Sequence, residues 1–342
     1  MKRSLNVVSF FSGCGGMDLG FKQAGFNIAL ANDCWAPAAR SFQKNFSETE
    51  MLIKDIKQLK GKYLWELLNK KNVNSIDVVI GGPPCQCFTR LNNNNLRMDD
   101  KRNQLFKDYI RLIKALQPKF VIMENVPDLL VRKNSKGQLF KDIIFSAFSR
   151  AGYKLSYKIF EAQKYGVPQK RRRVIFFATS DKNLELTFPN ESRKDSVVGP
   201  FLKRLKKCKR ELKDNKVTIN GPPVALRIKH VPPGGYYENL PDHLKVKKYR
   251  EGKLVTVKRY GSYYRRLDDN RPSITITNNY LIHPDEDRYL TNRELAALHT
   301  FPNNFEFEGC LEEVSQQIAN AVPPELVRRI AVHLKETYFD KT

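Results

Sequence analysis

The first half of the chain alternates short apolar runs with amphipathic stretches. Asn6 to Phe11, Asn27 to Asn32, Met51 to Ile53, Ile76 to Ile80 and Phe120 to Met123 are apolar and of strand length. Between and after them, helices are predicted from near Met17, over Ala36 to Asn45, over Leu105 to Leu116 and from about Leu139 to Ala151. Strands alternating with helices predict a doubly wound α/β domain with a buried parallel sheet. Tyr153 to Ala162 and Arg173 to Thr179 read as two further strands joined in a hairpin. Leu290-Thr291-Asn292-Arg293-Glu294 predicts a helix start, with Thr291 as cap and Glu294 at the capping-box position. A last helix is expected from Glu325 to Thr337.

The pattern breaks after about Asp181. Residues 200–265 hold 18 Lys and Arg against five acids, with Gly, Pro and Tyr interleaved, as in Pro232-Pro233-Gly234-Gly235-Tyr236-Tyr237. Periodicity is poor there, but the aromatic content argues for a small irregular, β-rich unit over a disordered linker. The expected division is a large domain at 1–184, a basic smaller one at 185–270 and a C-terminal segment at 271–342.

Composition narrows the class. The 342 residues are 41% hydrophobic and 28% charged, as in a soluble globular protein. No apolar run approaches the ~18 residues that span a bilayer, and no signal peptide is read at the start. Six cysteines without a CxxC pair make neither a disulfide framework nor a zinc site, so a reducing, cytoplasmic setting without metal is expected. Sixty Lys and Arg against 36 acids give a net charge of +24, which favours a polyanion partner, nucleic acid above all.

Candidate chemistry gathers at strand ends. In Gly81-Gly82-Pro83-Pro84-Cys85-Gln86, two glycines and two prolines stop the fourth strand. Cys85 therefore sits in a rigid turn at the carboxyl edge of the sheet, where open α/β sheets bind ligands. It is either a buried small hydrophobe or a nucleophile. Phe11-Ser12-Gly13-Cys14-Gly15-Gly16 is a glycine turn between strand and helix, with a spacing unlike G-x-G-x-x-G. Asp33 follows about twenty residues later, where an acid either takes ribose hydroxyls or caps the next helix. Glu124-Asn125-Val126-Pro127 ends the fifth strand on the same edge as Cys85. In Gln169-Lys170-Arg171-Arg172-Arg173 the charge run leads into a strand, so Arg171 and Arg173 should share one side. Phe88 to Asn95, with Arg97, Lys101 and Arg102, reads either as a tolerated surface insertion or as a mobile basic loop that closes over substrate, and its tie to the cysteine turn favours the loop.

Together these motifs resemble the cytosine-C5 DNA methyltransferase family, over nearly the whole chain except about 185 to 265. Phe11 to Gly16 resembles its S-adenosylmethionine loop. Pro83-Pro84-Cys85-Gln86 and Glu124-Asn125-Val126 resemble its two catalytic motifs, and Gln169 to Arg173 its Q-x-R-x-R motif. Arg271-Pro272-Ser273 and Gln317-Ile318-Ala319-Asn320-Ala321-Val322-Pro323-Pro324 resemble its C-terminal motifs. Six motifs in order are specific where one is not. The chain departs from the pattern at Ala319, where the family usually has Gly, at Asp33, where Glu is commoner, and at Cys34 and Cys87.

The resemblance implies a Rossmann-like methyltransferase domain, with the last helix returning to it and the small domain reading sequence in the major groove. It implies S-adenosylmethionine as cofactor, S-adenosylhomocysteine as product, and no metal. Phe11, Gly13, Cys14, Gly15, Gly16, Asp33, Cys34, Asp55, Ile56, Pro84, Leu105, Asn320 and Ala321 are the implied cofactor contacts. Cys85 is the implied nucleophile at C6 of a flipped-out cytosine. A free thiol with pKa ~8.5 is only about 3% ionised at pH 7, so the basic surroundings matter. Glu124 would contact N3 and the amine of the base, Asn125 and Arg171 would hold Glu124 and the base, and Arg173 would help orient the pocket. The implied partner is double-stranded DNA, approached by a monomer that works beside a cognate restriction endonuclease and is nucleoid-associated through its DNA. Two other readings stand beside this one. Pro84-Cys85-Gln86 followed by Phe88-Thr89-Arg90 also resembles the family's tRNA-methylating branch, which lacks a sizeable recognition domain. A non-catalytic DNA-binding module on the same fold is the other.

Overall fold

The computed structural model describes residues 4–84, 105–134, 136–207, 212–218, 220–250, 253–257, 263–277 and 280–340. Five parallel strands and one antiparallel pair build a seven-stranded sheet. The strands are β1 (Asn6–Phe10), β2 (Asn27–Asp33), β3 (Glu50–Ile53), β4 (Val78–Gly81), β5 (Phe120–Asn125), β6 (Lys154–Glu161) and β7 (Arg172–Thr179). Their order is β3-β2-β1-β4-β5-β7-β6. β7 runs antiparallel to both β5 and β6, so the start of β7 lies at the edge where the parallel strands end. The order reverses direction between β1 and β4. Loops leaving those two strands diverge there and open a crevice.

Alternate residues of each strand face opposite layers, as a period of two requires. Val7, Ile28, Val78, Ile80, Ile122 and Phe177 enter one apolar cluster. Val8, Leu30, Val79, Val121, Met123 and Phe176 enter the other. The first layer is covered by α1 (Gly16–Gln23) and α2 (Ala36–Asn45). The second is covered by α3 (Gly61–Lys70), α4 (Leu105–Leu116) and α5 (Phe140–Arg150). The expected strands and helices of this half are present within a few residues. β1 ends at Phe10 because Phe11 turns into the left-handed region at φ +56°. α3 went unpredicted: only Leu64 and Leu68 are fully buried along it, too narrow a stripe to stand out.

The rest of the chain adds α6 (Val198–Lys206), α7 (Pro222–Lys229), the hairpin β8 (Lys247–Arg250) and β9 (Lys253–Thr256), and the short parallel pair β10 (Arg265–Arg266) and β11 (Leu281–Ile282). Ile228, Val231, Tyr237, Leu240, Tyr264 and Ile282 form a small core of their own. The Arg266 guanidinium is buried among them. It donates to the carbonyls of Ile228, Val231, His283 and Glu286 and pairs with Asp287 at 2.7 Å. Val198, Leu202 and Leu205 of α6, by contrast, share the first large core with α8 (Asn292–Leu298), α9 (Leu311–Asn320) and α10 (Pro324–Tyr338). Thr291 caps α8 and Glu294 completes the capping box, as the sequence predicts. Among the described residues no helix is long and apolar enough to cross a membrane.

α10 returns across α1, and Gly20 is where the two helices touch. A β-carbon on Gly20 would lie 2.6 Å from Val327 Cβ and 2.8 Å from the Pro324 carbonyl oxygen. Alanine in a helix gains about 1 kcal/mol over glycine. Overpacking costs about 1–3 kcal/mol, toward the upper end where the obstacles are backbone and a β-branched stem. Gly20→Ala is therefore expected to lower the midpoint of urea unfolding; a raised midpoint would show that α1 and α10 do not pack this closely.

Candidate active site

The crevice at the carboxyl ends of β1 and β4 is a cleft of about 660 Å³, within the range of small-molecule sites. One wall is the turn after β1. Gly13 and Gly15 have φ of +56° and +95°, which glycine adopts without strain. A β-carbon on Gly15 would lie 2.6 Å from the Phe46 ring, and one on Gly16 2.5 Å from the Val322 carbonyl oxygen. A β-carbon on Gly13 would meet nothing within 4 Å, because that residue faces open space in the cleft. The turn is tied to the end of β2 by Asp33. One carboxylate oxygen of Asp33 accepts the Gly13 N–H at 2.8 Å and the other accepts the Trp35 N–H at 2.8 Å. Burial pushes the Asp33 carboxyl upward, and these backbone N–H groups oppose the rise. α2 starts beyond it with no side-chain cap, so Asp33 does not cap that helix in the ordinary way.

The opposite wall carries the strand-end motifs. Asn125 donates from Nδ2 to the Pro83 carbonyl at 3.0 Å and accepts the Val126 N–H on Oδ1. It thereby pins the Gly81-to-Pro84 turn to the end of β5. Glu124 forms an ion pair with Arg173, Nε to Oε1 at 2.7 Å, with both side chains only 15% exposed. A β-carbon on Gly82 would lie 3.0 Å from Glu124 Oε2, so glycine leaves room for that carboxylate. Cys85 follows Pro84 directly and lies outside the described residues, as do Cys87 and the basic loop 88–102.

The two arginines line the same cleft but divide the work differently from the expectation. Arg173, not Arg171, holds Glu124. Arg171 is 1% exposed and donates to backbone carbonyls instead: Nη1 to Ile276 at 3.3 Å, and Nη2 to Ala319 at 2.8 Å and Ala321 at 3.0 Å. Burial pulls its pKa down, the Arg173 charge adds to that, and Glu124 opposes it. Arg171 precedes β7 rather than sitting in it, which frees its side chain to turn toward the C-terminal motif. That motif, Ala319 to Val322, closes the third side of the cleft. Arg271-Pro272-Ser273 backs the arginine segment through a parallel bridge between Gln169 and Ser273.

Phe11, Gly13, Cys14, Gly16, Asp33, Cys34, Pro84, Asn320 and Ala321 line the cleft as the sequence reading expects. Gly15, Asp55, Ile56 and Leu105 do not. Asp55 instead accepts the Lys57 N–H and caps one helical turn, Ile56 is buried in the second core, and Leu105 packs against that core. Cys14 lines the cleft only from behind. It is 2% exposed, its Sγ lies 3.8 Å from the Gln317 carbonyl, and burial pushes its thiol up. The sequence reading missed Trp35 and Gln317. Trp35 follows Cys34, and an aromatic beside the Asp33 loop is the signal that marks it. Beneath the glycine turn Asp18 is fully buried, which raises its carboxyl to about 7 against the pull of the Ser9 hydroxyl. Among the described residues no three His, Cys, Asp or Glu side chains gather as metal ligands.

The family model for C-5 cytosine-specific DNA methylase matches residues 5–336. A Type II methyltransferase of Haemophilus parahaemolyticus, M1.HphI, is 35% identical over 96% of this chain and 86% of its own. Another of Neisseria gonorrhoeae, M.NgoFVII, is 30% identical over 98% of this chain and 87% of its own. Among solved structures, a prophage-encoded candidate DNA modification methyltransferase of Escherichia coli superposes with a TM-score of 0.79 at 24% identity, covering 97% of this chain and 99% of its own. A Spodoptera frugiperda DNMT2 variant does so with 0.64 at 16% identity, covering 95% of this chain and 98% of its own.

Removing the Asn125 side chain would leave the Pro83 carbonyl without that donor in a buried place. Asn125→Ala should destabilise the fold by about 1–3 kcal/mol. Calorimetry should record a lower melting temperature; an unchanged one would show that the turn before Cys85 is held by other groups.

Proposed function

The chain belongs to the C-5 cytosine-specific DNA methylase family and is an S-adenosylmethionine-dependent DNA cytosine-5 methyltransferase; we propose that it works through Cys85, Glu124 and Arg173 on a cytosine flipped out of a specific duplex site. The observation that carries the residue assignment is the Glu124–Arg173 ion pair. It stands beside the Pro83–Pro84 turn that leads into Cys85, across the cleft from the glycine turn.

Cytosine C5 is too weak a nucleophile to take a methyl group unaided. The Cys85 thiolate adds at C6 and electron density moves to C5, which is covalent catalysis. Glu124 faces N3 and the exocyclic amine of the base, held in place by Arg173; by sharing a proton with N3 it neutralises the negative charge that thiolate addition puts on the ring. S-adenosylmethionine, held between the glycine turn, Asp33 and Asn320, would supply the methyl group that C5 takes. Transfer of the C5 proton to water in the cleft and departure of Cys85 as the thiolate restore the aromatic ring. Arg171 keeps the cleft closed by holding Ala319 and Ala321.

The cleft suits the cofactor. Gly13 exposes backbone toward it, the glycine turn meets the start of α1, and Asp33, Cys34 and Trp35 stand at its other end. Asn320 and Ala321 complete the wall.

The smaller unit with its own core supports DNA over tRNA as substrate, and the basic charge supports a nucleic-acid partner. Flipping costs a few kcal/mol of unstacking. The Type II names of the relatives support a cognate restriction endonuclease as the enzyme's companion. The enzyme acts as a monomer in the cytoplasm, on the nucleoid. Catalysis belongs to residues 1–184, site recognition to 185–270, and 271–342 packs back on the catalytic domain.

Two experiments test this. Incubated with S-adenosylmethionine and a duplex carrying 5-fluorocytosine, the wild-type protein should form an adduct that survives denaturing gels, and Cys85→Ser should form none. An adduct in Cys85→Ser but not in Cys87→Ser would move the nucleophile. Phosphate contacts position a protein, whereas base-edge contacts specify. Replacing residues 185–270 with the matching segment of a relative of different specificity should therefore transfer that specificity, scored by bisulfite sequencing. An active hybrid that kept the original site would place recognition elsewhere.

A further inference from the structure

Behind the cleft wall lies a buried polar chain that the catalytic reading does not use. His299 follows the last residue of α8 and is 0% exposed. Its Nδ1 lies 3.0 Å from Gln169 Nε2 and its Nε2 lies 2.8 Å from the Ala321 carbonyl. The Gln169 carbonyl oxygen already accepts the Ile276 N–H at 3.1 Å, so its amide nitrogen faces the ring and donates to it. Burial drives the His299 pKa well below 6.5, and the Arg171 and Arg173 charges act in the same direction. The ring is therefore neutral, with Nδ1 accepting from Gln169 and Nε2–H donating to Ala321. The same Ala321 carbonyl accepts Arg171 Nη2 at 3.0 Å.

The turn that presents this ring is strained. Thr300 has φ +67°, a conformation that β-branched residues rarely adopt and that helix ends usually fill with glycine. Its hydroxyl accepts the Glu325 N–H in the first turn of α10 and donates to the His299 carbonyl. Local strain persists only where surrounding contacts over-determine it. Here they fix the ring to the Ala321 carbonyl.

We propose that His299 is a positioning residue for the cofactor: its single N–H sets the Ala319-to-Val322 wall, and its acceptor nitrogen ties that wall to the Gln169-to-Arg173 segment that holds Glu124. The cofactor pocket and the target-base pocket thus share one buried hinge point. The inference rests on the cofactor site proposed above.

Calorimetric titration with S-adenosylhomocysteine tests it. His299→Phe keeps the ring volume and loses both nitrogens. Its affinity for S-adenosylhomocysteine should fall about tenfold, the scale of one buried hydrogen bond. KM for S-adenosylmethionine should rise in step. His299→Gln can place an N–H where Nε2 stood and should restore most of the binding. His299→Asn can place only an acceptor where Nδ1 stood and should not. A purely structural role would lower the melting temperature of all three variants without separating Gln from Asn. Equal affinity in His299→Phe and wild type would overturn the proposal, and so would equal impairment of His299→Gln and His299→Asn. That last pair decides the matter if His299→Phe does not fold. Wild-type protein that failed to bind S-adenosylhomocysteine at all would overturn the cofactor site and this inference together.

Discussion

A guanidinium taken out of water draws acceptors to itself, because an uncompensated buried charge costs several kcal/mol. Arg171 is in that position, and most of the site follows from how the chain answers it. Its acceptors are the carbonyls of Ile276, Ala319 and Ala321, which lie 105 to 150 residues further along the chain. The C-terminal motif is thereby drawn against the sheet, and α9 and α10 come with it. Because Arg171 is spent on backbone, Arg173 is left to pair with Glu124. One buried cation thus sets both the third wall of the cleft and the partner of its acid.

The same economy is visible around Asp33 and Asn125. Each is a polar side chain at a strand end, and each spends its hydrogen bonds on the backbone of a neighbouring turn. Asp33 holds the glycine turn and Trp35, and Asn125 holds the turn before Cys85. The two turns that meet across the cleft are therefore fixed from the strands beneath them. Functional groups held by a rigid scaffold keep the geometry that catalysis needs.

Much of this was legible in the sequence because the signals are local. An apolar β-branched run ended by Gly81-Gly82-Pro83-Pro84 announces a strand and its stop within nine residues, and Glu124 is visible as a carboxylate ending another run. Thr291 and Glu294 mark a helix start through a contact spanning three residues. The division of labour between Arg171 and Arg173 was not legible. It depends on carbonyls over a hundred residues away and on where β7 begins. Asp55 illustrates the converse. Its place in the motif order suggests a ligand contact, but an Asp two residues before a free N–H caps the turn locally. Gln169 and His299 could not be paired by inspection, since 130 residues separate them.

The antiparallel direction of β7 bears on which insertions and deletions the gene can tolerate. The parallel strands deliver their functional groups as the chain leaves the sheet, so the loops beyond them can lengthen without disturbing what lies before. β7 delivers its arginines as the chain comes in, and it is laddered on both sides from Arg172 and Val174 onward. Side chains alternate with a period of two, so one residue inserted between Arg173 and Val174 would turn Arg173 to the opposite face of the sheet. The facing of Arg173 is thus held by the pleat of the strand, whereas Arg171, just before the strand, is held by its own carbonyl acceptors.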